Sequence, residues 1–259
     1  MGGGLKMELV LIPVGKFLMG SPDTEKDRGK EGGAQHEVTI SKPFYMGKYE
    51  VTQQQWDAVM AQLGIKNPSK FKDGPDAPKR PVEHANWDEA CAFCEKLSQT
   101  TKRQVRLPTE AEWEYACRAG TTTRFSFGDS DVFLGAYAWS SLNAGGTTHP
   151  VGGKKPNPWG LYDIHGNVYE WCADDFHDSY QNAPADGRAW VDQPRPGNRV
   201  LRGGSWDGNP RQCRWAYRAR YSPADRRRNI GLRCAVDFSH FALCSVTLCR
   251  ERGEFSFAM

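Results

Sequence analysis

The sequence predicts one α+β domain in which much of the backbone lies outside regular elements. Three observations carry this expectation. Apolar patterns of helical period occur only before residue 120. Residues 121–237 are short apolar runs separated by Gly-, Asn- and Trp-rich turns. No linker and no repeat of roughly 20–50 residues divides the chain. Its 259 residues are 39% hydrophobic and 25% charged, as in ordinary globular proteins, and 27 Gly with 16 Pro point to many loops. No apolar run approaches the roughly 20 residues of a membrane helix. The start shows no leader pattern, so a cytoplasmic location is the default expectation.

Residues 1–7 are expected to be a flexible start, residues 8–237 the domain, and residues 238–259 an extension of unknown role with Cys244 and Cys249. The run ELVLIPVGKFLMG at 8–20 reads as a hairpin turning at Pro13 to Lys16. Residues 21–35 are polar and Gly-rich, an exposed loop. Strands are expected over His36–Ile40 and Pro43–Val51. Thr52, with Gln55 three residues on, opens a helix by a capping box, and Trp56, Val59, Met60 and Leu63 share one face. After a proline-rich loop at 64–81, a second helix is expected from about Asn86 to Thr101, with Trp87, Ala90, Cys91, Cys94 and Leu97 inward. Cys91 and Cys94 form a lone CxxC, which reads as core rather than as a zinc site. A short strand ends near Arg106, and Thr109 with Glu112 caps a third helix closed by Gly120.

Charge is concentrated in one place. Residues 199–234 hold ten arginines and only Asp207 and Asp225 as acids, a local +8 in a chain of +3. Such a focus can steer anionic partners. Equally, Arg202, Arg214, Arg218 and Arg233, beside apolar or Gly positions, can fork onto carboxylates inside the fold. Arg226, Arg227 and Arg228 read as a loop. The rest of the chain is net acidic and no nucleic-acid module is recognised, so nucleic acid is not the expected partner. His36, His84, His149 and His177 are scattered, and His165 reads as a surface residue.

Five blocks in order, IPVGKFLMGS, PFYMGKYEVTQQQW, RLPTEAEWEYACRAG, NPWGLYDIHGNVYEWCAD and RVLRGGSW with NIGLRCA, resemble the sulfatase-modifying-factor domain of the formylglycine-generating enzyme family. The resemblance implies a C-type-lectin-like fold with little regular structure. It implies a calcium site in the GLYxxxGNxxEW segment, held by the Asp163 and Glu170 side chains and the Gly166 and Val168 carbonyls, an oxygen set suited to Ca²⁺. Alternatively these two acids cap turns or pair with arginines. The family's copper-dependent oxidase chemistry uses two cysteines five apart after GGS. Here the second falls on Cys213 and the first on Gly208. One thiolate cannot make that paired soft site, so copper is not expected. An oxidase with relocated cysteines, or another enzyme of this fold, is the alternative.

The last segment also resembles the variable proteins of diversity-generating retroelements, which implies a bacterial or phage origin. An AAC codon mutated at its adenines yields Asn, Asp, Gly, Tyr, Ser, Ala or Arg. Such residues occupy 207, 208, 209, 217, 219, 221, 222, 225, 227, 228 and 229. Gly203, Gly204, Ser205, Trp206, Pro210, Cys213, Pro223, Ile230 and Gly231 lie between them as framework. Gln212 and Trp215 do not follow from AAC. The candidate binding residues are Asp207, Gly208, Asn209, Arg211, Trp215, Tyr217, Ala219, Tyr221, Ser222, Asp225, Arg227 and Arg228. Tyr, Trp and Arg offer rigid contact area, and Gly, Ser and Asn adaptable polar contacts. The expected function is non-enzymatic binding of a protein or small molecule with anionic or aromatic groups, within a variable segment of about 200–234.

Overall fold

The structure, a computed structural model, describes residues 5–29, 33–195, 197–238 and 254–258. Strand β1 (Lys6–Ile12) pairs on one side with β4 (Phe44–Gly47) and on the other with β11 (Glu254–Ala258). Together with β10 (Ala235–Asp237) and β5 (Val105–Arg106) they make a five-stranded sheet in the order β11-β1-β4-β10-β5. β1 thus begins inside the stretch expected to be a flexible start, and Met7 is buried. Part of the C-terminal extension supplies an edge strand to this sheet. Cys244 and Cys249 lie outside the described residues.

The expected hairpin at 8–20 does not form. β2 (Gly15–Met19) pairs instead with β3 (His36–Ile40) in a separate two-stranded sheet. The reason is burial on both sides of β1. Met7 and Leu9 enter one apolar cluster and Val10 and Ile12 the other, as the period of two requires. Such a strand belongs in the middle of a sheet, and its two neighbours come from distant sequence.

The first cluster holds helices α1 (Gln53–Met60) and α2 (Trp87–Thr101). α1 starts with the expected capping box of Thr52 and Gln55, and α2 with one that was not singled out, Asn86 with Glu89. Leu63 departs from the expected face: α1 gives way to a 3₁₀ turn at Ala61, and Leu63 is exposed. Cys94 is buried with its Sγ 3.9 Å from that of Cys234, and Cys91, half-buried, packs against the same cluster. α3 (Glu110–Arg118), capped by Thr109, is the centre of the second cluster, and all nine of its residues are buried. α4 (Leu134–Tyr137) is a single turn.

A four-stranded sheet in the order β8-β7-β6-β9 carries the C-terminal half. Its members are β6 (Tyr169–Asp175), β7 (Arg199–Arg202), β8 (Ala219–Tyr221) and β9 (Ile230–Gly231). β8 is an edge strand, paired antiparallel to β7 with Leu201 opposite Ala219 and Arg199 opposite Tyr221. The 207–229 stretch therefore hangs on two strand anchors, β8 and β9. No helix among the described residues is long and apolar enough to cross a membrane.

Candidate ligand-binding site

The arginine-rich stretch is mostly an internal scaffold. Arg202 is fully buried and reaches Glu110 at 3.1 Å, Glu114, and the carbonyl of Trp215. Arg218 grips Glu110, Arg233 grips Glu170, and Arg214 meets Glu25. Arg199 pairs with Asp175 at 2.7 Å. Arg226 forks onto Glu89 from the surface, with both bonds at 2.6–2.7 Å. Thus the +8 of the sequence is largely spent on carboxylates of α3, β6 and the loops. Glu110 is held below the usual carboxylate range despite burial, because Arg218 and Arg202 flank it.

A cavity of about 660 Å³ opens beside β8. Five of the twelve candidate residues line it: Asp207, Gly208, Tyr217, Ala219 and Tyr221. Asn229, read as variable, lines it too. The rest of the wall was not singled out as contact residues: Tyr169 from β6, Phe176 and Asp178 from the loop after it, and Ser205, Gln212, Arg218 and Arg220. Tyr169 and Tyr217 stand with ring centroids 6.5 Å apart. Ser205 Oγ donates to Asp207 at 2.7 Å, and Asn229 Nδ2 donates to the same carboxylate at 2.9 and 3.2 Å. Asn209 accepts from Gln212 N in a capping box that opens a 3₁₀ turn.

Trp215 corrects the expectation. It is fully buried, donates from Nε1 to the Thr123 carbonyl, and carries the Arg118 guanidinium 3.1 Å from its ring centroid. It is core and does not line the cavity, which agrees with its codon lying outside the AAC set. Arg211 and Asn209 are exposed but do not line the cavity. Ser222 and Asp225 make a turn, with Ser222 N donating to Asp225 at 3.1 Å. Arg227 lies 4.7 Å from the Tyr221 ring centroid and Arg228 5.3 Å from that of Trp206.

The GGS turn holds this wall by close backbone approach. Gly204 has φ +80°, and a Cβ there would meet Cys213 Sγ at 2.9 Å. Cys213 itself is fully buried against Phe125, Leu134 and Ala138. Burial pushes its thiol up to about 12, so it is a neutral thiol rather than a thiolate.

His165 is the second correction. It is 1% exposed, not at the surface. Its Nδ1 donates to the Cys213 carbonyl at 2.9 Å, so Nε2 accepts from Ser126 Oγ at 2.8 Å. Burial lowers its pKa to about 4, and the ring stays neutral and structural. It ties the loop that precedes β6 to the 3₁₀ turn of the 207–229 stretch.

The loop expected to bind calcium is sharply folded. Asp163, Gly166 and Asn167 all have positive φ, and a Cβ on Gly166 would lie 2.2 Å from the Trp139 carbonyl. Glu170 is committed to Arg233 (2.7–3.0 Å) and to Trp113 Nε1 (2.6 Å). Asp163 is buried, accepts from Gly152 N through Oδ2, and leaves Oδ1 without a hydrogen-bond partner. Burial raises Asp163 to about 6. Burial and the neighbouring Asp163 and Glu170 carboxylates push buried Glu50 well up as well. Glu50 accepts from Asn167 Nδ2 and Val168 N, so of these three buried acids the orphaned Asp163 oxygen is the feature that favours a hard cation. No group of three or more His, Cys, Asp or Glu side chains among the described residues is arranged to hold a metal, so such a cation would also need backbone carbonyls.

A family model of the sulfatase-modifying factor enzyme 1-like domain matches residues 5–238. The chain belongs to that family. It is 29% identical to the formylglycine-generating enzyme of Bos taurus over 292 residues, covering 89% of this chain and 75% of that one. Among solved structures, PvdO from Pseudomonas aeruginosa superposes with a TM-score of 0.81 at 33% identity, covering 89% of this chain and 94% of that one. Treponema denticola variable protein 1 superposes at 0.78, also at 33% identity, over 91% and 97%. The sulfatase-modifying-factor domain thus has the expected α+β, C-type-lectin-like fold, and it resembles a variable protein as closely in sequence as it does PvdO.

Proposed function

We propose that this domain is a non-enzymatic binding protein whose 207–229 segment is a surface diversified by a retroelement. One observation carries the reading. Of the eleven positions read as variable, only Gly208 is buried, whereas seven of the nine framework positions are buried; Arg214, Ala216 and Arg218, whose residue types the same codon can give, are buried and fall on the framework side. A mutagenesis that touches only adenines knows nothing of packing. Sparing the core therefore requires that template and fold be matched, as in a rigid framework that presents variable loops. Six of the eleven positions meet in one cavity, and the likeness to a protein called variable protein 1 supports the same reading.

Against an oxidase of the formylglycine-generating type stand Gly208 in the place of a thiol and Cys213 as a buried neutral one. Calcium enters the proposal as a structural ion held by Asp163 with the Gly166 and Val168 carbonyls and the negative field of Glu170. It would balance the buried acids and fix the loop that leads into β6. The decisive experiment is to sequence the DNA around the gene. A near-copy of codons 200–234, mismatched only at adenines and beside a reverse-transcriptase gene, is the expected result. Absence of both would return the segment to ordinary sequence drift.

A further inference from the structure

The charge of the cavity is not the one that the arginine-rich sequence implies. Arg218, in its wall, lays its guanidinium on both oxygens of Glu110. Arg220, at the surface, pairs with Asp178 at 2.6 Å. Asp207 has no such partner. Its carboxylate is oriented by Ser205 and Asn229, and no Lys, Arg or His nitrogen among the described residues lies within 4.0 Å of it. The same cavity is walled by Tyr169, Tyr217 and Tyr221. Tyrosine faces carry the negative side of the ring quadrupole and attract cations. One of these rings already does so: Arg227 sits 4.7 Å from the Tyr221 centroid.

An oriented, unpaired carboxylate beside the Tyr169 and Tyr217 rings, with a third ring that already holds Arg227, is chemistry for an organic cation. Aromatic walls favour one that sheds water cheaply and needs few hydrogen bonds. We propose that, in this sequence variant, the cavity takes an alkylated ammonium head. The tyrosines surround its methyl groups and Asp207 faces its charge. This rests on the reading of the cavity as a binding site, and it departs from the anionic or aromatic ligand expected from the sequence.

The head group could arrive on a free metabolite or on a modified lysine of a protein. The test therefore titrates the full chain calorimetrically with choline and, separately, with a trimethyllysine peptide. The uncharged isostere 3,3-dimethylbutan-1-ol and inorganic phosphate serve as controls. The expected result is saturable binding of one or both cations, about 10-fold or more tighter than the isostere. Asp207→Asn, at an exposed position, should keep the melting temperature and lose about 5- to 20-fold in cation affinity. Tyr217→Ala, which removes a ring, should lose about 5-fold or more in cation affinity, and an affinity equal to the parent's would overturn the aromatic wall.

Binding by choline assigns a free small molecule, and binding by the peptide alone assigns a modified protein. Equal binding of the isostere, or an Asp207→Asn variant as tight as the parent, overturns the cation while leaving a ligand cavity in place. Tighter binding of phosphate, or failure of both cations to saturate at millimolar concentration, overturns it too. The retroelement reading stands or falls separately, on the neighbouring DNA.

Discussion

Arg218 lays its guanidinium across the carboxylate of Glu110, Nε to Oε1 at 2.6 Å and Nη2 to Oε2 at 3.0 Å, joining the arginine-rich segment to the first turn of α3. Arg202 and the Tyr180 hydroxyl meet the same carboxylate, both at 3.1 Å. Buried charges of this kind are stable only as a set, because removing one partner leaves the other desolvated and unpaired. Arg218→Met should therefore cost about 3–5 kcal/mol in urea unfolding, although the residue borders the cavity. A cost below about 1 kcal/mol would show that Arg218 serves the ligand rather than the fold.

The division into framework and variable positions predicts a sharp contrast in tolerance. Asn209→Ser, Arg227→Ser and Arg228→Asn are exposed changes and should each stay within about 0.5 kcal/mol. Trp215→Ala should cost about 3–5 kcal/mol, since it empties a fully buried site. Gly204→Ala should be strongly destabilising because its Cβ has no room beside Cys213. Thermal melts of the five variants check this. Comparable losses in both groups would remove the structural support for diversification.

Calcium should raise the melting temperature, and chelation should lower it, if the loop around Asp163 holds the ion. Asp163→Ala removes the orphaned oxygen and should abolish that difference. A calcium-independent melt of the parent chain would count against the ion and leave Arg233 and Lys154 as the counter-charges.

Stability should fall as pH rises from about 4.5 to about 7. Buried Glu83 is the reason. Its Oε1 accepts from the Lys70 and Phe71 amides, its Oε2 has no partner, and burial raises its pKa from 4.5 to about 7. An acid with a raised folded pKa binds its proton more tightly in the folded state, so its contribution is full below the unfolded pKa. That contribution declines until the pH passes the folded one. Glu83→Gln should flatten this slope, by on the order of 1–3 kcal/mol between pH 4.5 and 7.5. An unchanged slope would assign the pH dependence to Asp174, which burial and Glu110 also raise to about 7.

Copper chemistry gives the last test. A two-coordinate Cu(I) site needs two soft thiolates, and the position five before Cys213 is Gly208. The purified chain should not compete with a thiol chelator for Cu(I) at this position, and Cys213→Ser should change nothing in that titration. Loss of tight Cu(I) binding in Cys213→Ser would reinstate the oxidase reading.

The sequence by itself determined the helices, their caps and the family. Capping boxes at Thr52 and Thr109 are contacts over three residues, and helical periodicity is equally local, so both were legible without the fold. The positions proposed as variable were named for a different reason: their residue types are written along the chain. Partner choice was not. The 8–20 run gave two strands but not their pairing, because β1 buries both faces and takes its neighbours from residues 44–47 and 254–258. The same limit applied to charge. Ten arginines left a steering patch and internal pairing equally open until Glu25, Glu110, Glu114, Asp175 and Glu170 came within reach of five of them. Phe176 and Asp178 joined the cavity from about 40 residues upstream with no mark on them. His165 and Trp215 look like loop residues and are core. Local propensity is set by a few adjacent residues, whereas burial, pairing and the sign of a cavity's charge are set by which distant groups meet. Only the tertiary structure decided those.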